Sequence, residues 1–83
     1  MIWKCVDDDK LGAEVDGLAA KFASGPTRGL AATKALIRGA WTRTLAEELD
    51  LERDMMRELG YSSDYAEGVK AFMEKRKPTF TGA

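Results

Sequence analysis

The chain has 83 residues, of which 45% are apolar and 33% are charged, and its net charge is −1. This length allows one small globular domain, and the charge disfavours a general nucleic-acid binder, because such proteins carry a basic excess. The chain has no histidine, which excludes His-based catalytic triads and His-rich metal sites.

Residues 1–8 are predicted to form a short strand or extended remnant that stops at the acidic run 7–9. The β-favouring residues are Ile2, Trp3, Cys5 and Val6. Cys5 is expected to be a small buried thiol rather than a nucleophile, because no histidine can activate it. The aspartates are expected to cap the next helix. No metal site is predicted, since no second acidic cluster completes a coordination shell.

Residues 9–78 are predicted to form an all-α domain, a small bundle of about four helices, because apolar residues recur at helical spacing. The limits follow from Gly25-Pro26, a capping box at Thr44-x-x-Glu47, a similar start at Asp64-x-x-Glu67, and Pro78. The predicted helices span 10–24, 26–43, 44–59 and 64–77. Residues 79–83 are predicted to be a flexible tail.

Each predicted helix carries an apolar stripe that is expected to face the core. The stripes are Leu11, Val15, Leu18, Ala19 and Phe22; Leu30, Ile37, Ala40 and Trp41; Leu45, Leu49, Met56 and Leu59; and Tyr65, Val69, Phe72 and Met73. Met55 and Met56 are also expected in the core, whereas Trp3 is expected to be exposed. Short connections predict that neighbouring helices pack on one another.

Glu52 stands where the stripe of the third helix calls for an apolar residue. It is either a general acid or base with a pKa raised by burial, or a structural carboxylate paired with an arginine or with helix-end N–H groups. The second interpretation is favoured, because no partner acid, base or nucleophile can be named beside it. The sequence therefore predicts no catalytic residue.

The end of the fourth helix places an aromatic ring before a basic cluster, from Phe72 to Pro78. Phe72 and Lys75 are three residues apart and would share one helix face. A ring and an ammonium group so placed suit a phosphorylated nucleotide, because the ring packs on the base and the cation meets the phosphate. Basic residues are also expected there simply from the helix dipole.

Two further features concern the compartment. Cys5 is the only cysteine, so no internal disulfide can form, which fits a reducing cytosol. The first residues lack the apolar region of a signal peptide, and no apolar stretch approaches the ~20 residues that cross a bilayer. The sequence predicts a cytoplasmic protein without a membrane partner.

The chain resembles the C-terminal helical region of the enoyl-CoA hydratase/isomerase (crotonase) superfamily. The matching residues are Leu18-Ala19 through Gly25-Pro26, Leu30, Lys34, Leu49, Glu52 and above all 63–80, with its Asp-x-x-Glu-Gly-x-x-Ala-Phe-x-x-Lys-Arg-x-Pro-x-Phe motif. Within the superfamily it is most similar to the epoxyphenylacetyl-CoA isomerase branch of phenylacetate breakdown. The features behind this are the Met1-Ile2-Trp3 start, Leu51-Glu52-Arg53-Asp54 and the ending Thr79-Phe80-Thr81-Gly82.

The resemblance implies a noncatalytic part of a larger enzyme. In the family, the oxyanion hole and the acidic residues lie on a β-β-α spiral that precedes the matched segment. The helical region makes subunit contacts, so self-association into a homo-oligomer is expected. The tail motif implies that Phe72 and Lys75 touch the adenine–phosphate end of CoA. No cofactor is implied, since the CoA thioester is the substrate of the parent enzyme.

A second hypothesis is a stand-alone helical protein–protein interaction module without an enzymatic parent. A third, a helix-turn-helix DNA binder, is disfavoured by the net charge of −1. The coding sequence upstream of residue 1 would decide between the first two, because only an enzyme fragment requires a spiral core there.

Overall fold

The computed structural model describes residues 2–83, and these residues form four α-helices and no strand. The helices are α1 (Asp8–Ala23), α2 (Thr27–Gly39), α3 (Leu45–Leu59) and α4 (Ser63–Met73), with a short 3-10 turn (Ala40–Thr42) after α2. This confirms the predicted all-α fold of about four helices. Met1, the first residue of the predicted strand segment 1–8, lies outside the described residues.

Of the two alternatives predicted for residues 1–8, the strand is not formed: residues 2–7 have no regular structure, and α1 already begins at Asp8. A strand needs a neighbour for its backbone hydrogen bonds, and residues 2–83 contain none. Cys5 is consequently exposed rather than buried. The segment is attached instead through an ion pair of 2.7 Å between Lys4 Nζ and Glu14 Oε1 on α1. Trp3 is exposed, as expected.

The helix starts follow local chemistry. Thr44 and Glu47 form the predicted capping box of α3: the Glu47 N–H donates to Thr44 Oγ1 at 3.3 Å, and the Thr44 N–H donates to Glu47 Oε2 at 2.8 Å. At α1 the N-cap is Asp7, whose side chain accepts no capping hydrogen bond. The next two aspartates lie in the first turn of α1, where their charge suits the positive end of the helix.

The chain is much more open than a folded monomer of its size. Its accessible surface is 7109 Å², against the roughly 4,900 Å² expected for this mass. Its radius of gyration is 15.8 Å, against about 12 Å for a compact domain of this length. Ala71 is the one fully buried apolar residue in the described part of the chain. The helices therefore enclose little core by themselves.

Much of the predicted core is wrong, because the apolar stripes face outward. Trp41 is 94% exposed and Met56 68% exposed. The other exposed members of the predicted stripes are Leu11, Val15, Phe22, Ile37, Leu45, Leu49, Tyr65, Val69, Phe72 and Met73. On α3 the half-buried apolar residues are Leu51, Met55 and Leu59, which recur every four residues. Apolar residues line two faces of this helix, and α2 packs on the face that contains Met55 and Leu59.

No helix in residues 2–83 combines the length and the apolar character that a membrane span requires.

Candidate functional site

The start of α4 differs from the predicted one. Its N-cap is Ser62, whose Oγ accepts a hydrogen bond of 3.1 Å from the Tyr65 N–H. The predicted start at Asp64-x-x-Glu67 is therefore wrong, although both carboxylates lie on α4 three residues apart. Ser62 is the better cap because its hydroxyl sits one residue before the helix and reaches the free N–H groups of the first turn. Asp64 and Glu67 therefore do not cap the helix, and their side chains make other contacts.

Both carboxylates bind the C-terminal tail, which turns back along α4. Asp64 is buried, and its two oxygens accept hydrogen bonds from the N–H groups of Thr81 at 2.8 Å and Gly82 at 2.9 Å. Glu67 Oε1 accepts one from the Thr79 N–H at 2.9 Å. Between these contacts the ring of Phe80 lies against Gly68. The flexibility predicted for 79–83 stays a prediction, and no local sequence pattern indicates these contacts.

The chain reverses at Lys75. The N–H of Arg76 donates to the carbonyl of Ala71 at 3.0 Å, and the N–H of Lys75 donates to the carbonyl of Phe72 at 3.2 Å. This pair of hydrogen bonds is the Schellman motif, whose left-handed position is usually glycine. Here that position is Lys75, with φ 55°, the one positive-φ residue other than glycine in residues 2–83. A side chain in this conformation costs about 1–2 kcal/mol.

The helix consequently ends earlier than predicted. We predicted that Pro78 stops the fourth helix at 77, yet α4 ends at Met73. The left-handed turn at Lys75 comes first and directs the chain away from the helix axis. Lys75 therefore lies beyond α4, and the prediction that it shares a helix face with Phe72 is wrong.

Arg76 is fixed by two carboxylates on either side of the reversal. Its guanidinium makes two parallel hydrogen bonds to Glu67, Nη1–Oε1 at 2.6 Å and Nη2–Oε2 at 3.0 Å. Its Nε donates to Glu74 Oε2 at 2.6 Å. The hydrogen bonds from Arg76 and from the Thr79 N–H lower the pKa of Glu67 to about 2, and those to Glu67 and Glu74 raise the pKa of Arg76. Glu67 and Arg76 are therefore ionised at neutral pH. Arg76 with its two carboxylate partners, Glu67 and Glu74, is named the Glu67–Arg76 clamp.

The two predicted ligand residues both lie at this turn. Phe72 is 82% exposed, and Lys75, three residues later, is also exposed, and its backbone N–H donates to the Phe72 carbonyl at 3.2 Å. Within residues 2–83 the ammonium groups of Lys75 and Lys77 form no ion pair, whereas Arg76 is neutralised by the clamp. The turn therefore carries an exposed ring and two cations without ion-pair partners in the described part of the chain, which are the kinds of group that bind an aromatic anion.

Glu52 does not have the arginine or N–H partner that we expected. Within residues 2–83 its carboxylate makes neither an ion pair nor a hydrogen bond, and it is exposed at the edge of a cavity between α2 and α3. The other carboxylate of this cavity, Glu48, is paired with Arg43. The remaining lining residues are Thr33, Leu36, Ile37 and Ala40. One free carboxylate without a partner base or nucleophile does not make a catalytic centre.

The known proteins that resemble this chain are enoyl-CoA hydratases and related isomerases. The family model described as enoyl-CoA hydratase/isomerase matches residues 1–83. The chain is 51% identical over 82 residues to the 1,2-epoxyphenylacetyl-CoA isomerase of Escherichia coli strain K12, covering 99% of this chain and 31% of that protein. It is 40% identical over 82 residues to a probable enoyl-CoA hydratase of Rhodobacter capsulatus, covering 99% of this chain and 32% of that protein.

Solved structures share the arrangement of the helices. An enoyl-CoA hydratase subunit I from Geobacillus kaustophilus superposes with a TM-score of 0.86 at 36% identity, over 94% of this chain and 30% of that one. A second enoyl-CoA hydratase structure from the same organism gives a TM-score of 0.83 at 27% identity, over 90% of this chain and 28% of that one. The chain thus spans about a third of the length of the proteins it matches.

Proposed function

Because the chain belongs to the enoyl-CoA hydratase/isomerase family, we propose that it is the C-terminal helical region of a longer acyl-CoA hydratase or isomerase. In that enzyme it completes the CoA site and makes subunit contacts. The observation that carries the proposal is the 51% identity to 1,2-epoxyphenylacetyl-CoA isomerase, which extends over 99% of the chain. By its similarity to this relative, the proposed enzyme acts on an aryl-acetyl-CoA thioester of phenylacetate breakdown. A cytoplasmic location, predicted from the lone cysteine, belongs to the same proposal.

The CoA contact is assigned to the turn after α4. The ring of Phe72 stacks on the adenine, and the ammonium of Lys75 meets a phosphate. Two observations support this: the ring is 82% exposed, and within residues 2–83 the ammonium has no carboxylate partner. At the adenine–phosphate end of CoA, both groups lie away from the reacting acyl part, so the region contributes binding energy rather than a catalytic group.

We expect the double substitution Phe72→Ala with Lys75→Ala in the full-length enzyme to raise KM for acyl-CoA by about tenfold, since a stacked ring contributes ~0.5–2 kcal/mol and an exposed charge ~0–1 kcal/mol. The kcat should change little, because neither group reaches the reacting carbons. Steady-state kinetics measures both constants. Tyr61→Ala with Lys10→Ala is the matched control, since it removes an exposed ring and an exposed lysine outside this turn. An unchanged KM, or a loss of kcat alone, contradicts the CoA contact.

The subunit-contact part of the proposal is supported by the outward apolar stripes. The accessible surface exceeds that of a compact monomer by about 2,200 Å², which is more than the roughly 800 Å² that one partner buries in an ordinary protein interface. In the intact enzyme this excess is divided between the rest of the chain and neighbouring subunits.

We therefore expect the isolated 83-residue polypeptide to self-associate, with a dimer as the simplest closed assembly. Trp41 is the preferred anchor, because it is 94% exposed and a buried tryptophan commonly contributes ~2 kcal/mol or more to an interface. Sedimentation equilibrium should show Trp41→Ser weakening association by about tenfold or more, whereas Tyr61→Ser, at the 87% exposed Tyr61, should not. A strict monomer from micromolar to millimolar concentration contradicts this expectation.

A further inference from the structure

A role in binding does not by itself explain the backbone conformation of Lys75. Its backbone has φ 55°, a conformation that glycine adopts freely and lysine does not. Nothing in the order of residues 74–77 demands this turn, because the stretch contains no glycine or asparagine. Other contacts must therefore hold the reversal. The tail N–H groups of Thr79, Thr81 and Gly82 bind α4 across it, and the side chain nearest the turn that also crosses it is Arg76.

Arg76 ties both sides of the turn together. Glu74 comes one residue before Lys75, and Glu67 lies two turns back on α4. The guanidinium makes two hydrogen bonds to Glu67 and one to Glu74, and its Nη1 also donates to the Lys77 carbonyl at 3.3 Å. Glu67 is anchored in turn by the Thr79 N–H at 2.9 Å. The direction in which Lys75 leaves the helix is thus set by groups other than Lys75.

Arg76 itself is poorly placed to bind an anionic ligand. A guanidinium has five N–H donors, and the four hydrogen bonds of Arg76 leave little capacity for another acceptor. Two carboxylates also cancel its charge. Lys75, by contrast, has no such partner within residues 2–83. The two adjacent cations have different environments, which indicates different roles.

We propose that Arg76, through its clamp with Glu67 and Glu74, is a positioning residue that fixes the left-handed turn at Lys75. The clamp thereby holds the Lys75 ammonium and the Phe72 ring in one arrangement toward the phosphorylated nucleotide end of an acyl-CoA. This inference rests on the proposed function. Its physical basis is preorganisation: a turn that is already fixed does not lose further conformational freedom when the ligand binds.

The test uses the full-length enzyme and two substrates with the same acyl group, one on CoA and one on pantetheine, which lacks the adenosine phosphates. For Arg76→Gln we expect KM for acyl-CoA to rise about three- to tenfold, less than or equal to the effect of losing Phe72 and Lys75 themselves. We expect KM for acyl-pantetheine and kcat for both substrates to change less than about twofold. Arg53→Gln is the matched control, since it removes an exposed arginine paired with Asp50 and Asp54 on α3.

A second background separates positioning from direct binding. If Arg76 acts through the turn, Arg76→Gln should have no further effect on KM for acyl-CoA once Phe72→Ala and Lys75→Ala are present. Additive effects would show that Arg76 binds the ligand itself and would overturn the proposal. Equal increases in KM for acyl-CoA and acyl-pantetheine would show a general loss of structure and would also overturn it.

Glu67→Gln provides a milder variant in case Arg76→Gln does not fold, because it keeps the side-chain shape and an oxygen for the Thr79 N–H while it removes the charge opposite Arg76. It should reproduce the increase in KM for acyl-CoA alone. An unchanged KM in Glu67→Gln and Arg76→Gln, together with a raised KM in the Phe72 and Lys75 variant, overturns the clamp and leaves the proposed function intact. An unchanged KM in all of them overturns both.

Discussion

The isolated 83-residue polypeptide is expected to show no turnover of any enoyl-CoA or epoxyacyl-CoA above a buffer blank. Enolate chemistry on a thioester needs two hydrogen-bond donors at the developing oxyanion, which are worth roughly 3–4 kcal/mol, and positioned acids or bases. The candidate site after α4 offers a ring and an ammonium instead. The cavity between α2 and α3 offers one free carboxylate, Glu52.

Spectrophotometric assay of the purified polypeptide at micromolar concentration, with the full-length enzyme as the positive control, checks this expectation. Reproducible turnover that is lost in Glu52→Gln would contradict it and would place chemistry in the α2–α3 cavity. Turnover that survives Glu52→Gln equally contradicts it, and would indicate acid–base groups elsewhere in the 83 residues.

The second large effect concerns Asp64. In the isolated 83-residue polypeptide, we expect Asp64→Ala to lower the free energy of unfolding by about 1.5–3 kcal/mol. The substitution removes a buried carboxylate that accepts two backbone hydrogen bonds. For a domain of this size the loss corresponds to a fall in Tm of about 6–24 °C. Asp64→Asn should give an intermediate value, since one carbonyl oxygen remains to accept from Thr81 or Gly82.

Thermal unfolding followed by circular dichroism, at one protein concentration for all variants, measures this effect. Asp50→Ala is the control, because Asp50 is an exposed partner of Arg53 on α3 and such pairs contribute only ~0–1 kcal/mol. If Asp64→Ala and Asp50→Ala shift Tm equally, the docking of the tail on α4 contributes nothing to stability, and the hydrogen bonds to Thr81 and Gly82 are not what secures it.

The sequence alone was sufficient to predict that the chain forms four helices and that Thr44 caps the third. The capping box of Thr44 and Glu47 is decided by residues three apart, so it depends little on tertiary contacts. Gly25-Pro26 separates α1 from α2 for an equally local reason. The terminal motif around Phe72 and Lys75 likewise led to the family, which the match over residues 1–83 confirms.

Helical periodicity could not decide which apolar face is covered. A stripe shows that a helix can bury one side, but a partner is required to bury it, and most of the partner surface lies outside these 83 residues in our proposal. Trp41 therefore stands exposed although its spacing is that of a core residue. On α3 two faces satisfied the pattern, and contact with α2 favoured the face of Leu51, Met55 and Leu59.

The turn at Lys75 was decided only by the tertiary structure. Nothing between Glu74 and Lys77 forbids a helix, so local propensity predicted one as far as residue 77. The reversal depends instead on Arg76 meeting Glu67, nine residues earlier, and on Thr81 meeting Asp64, seventeen residues earlier. Such contacts form between groups that sequence order keeps apart, so the sequence predicted Phe72 and Lys75 as candidate ligand residues, but only the fold determined how they are presented.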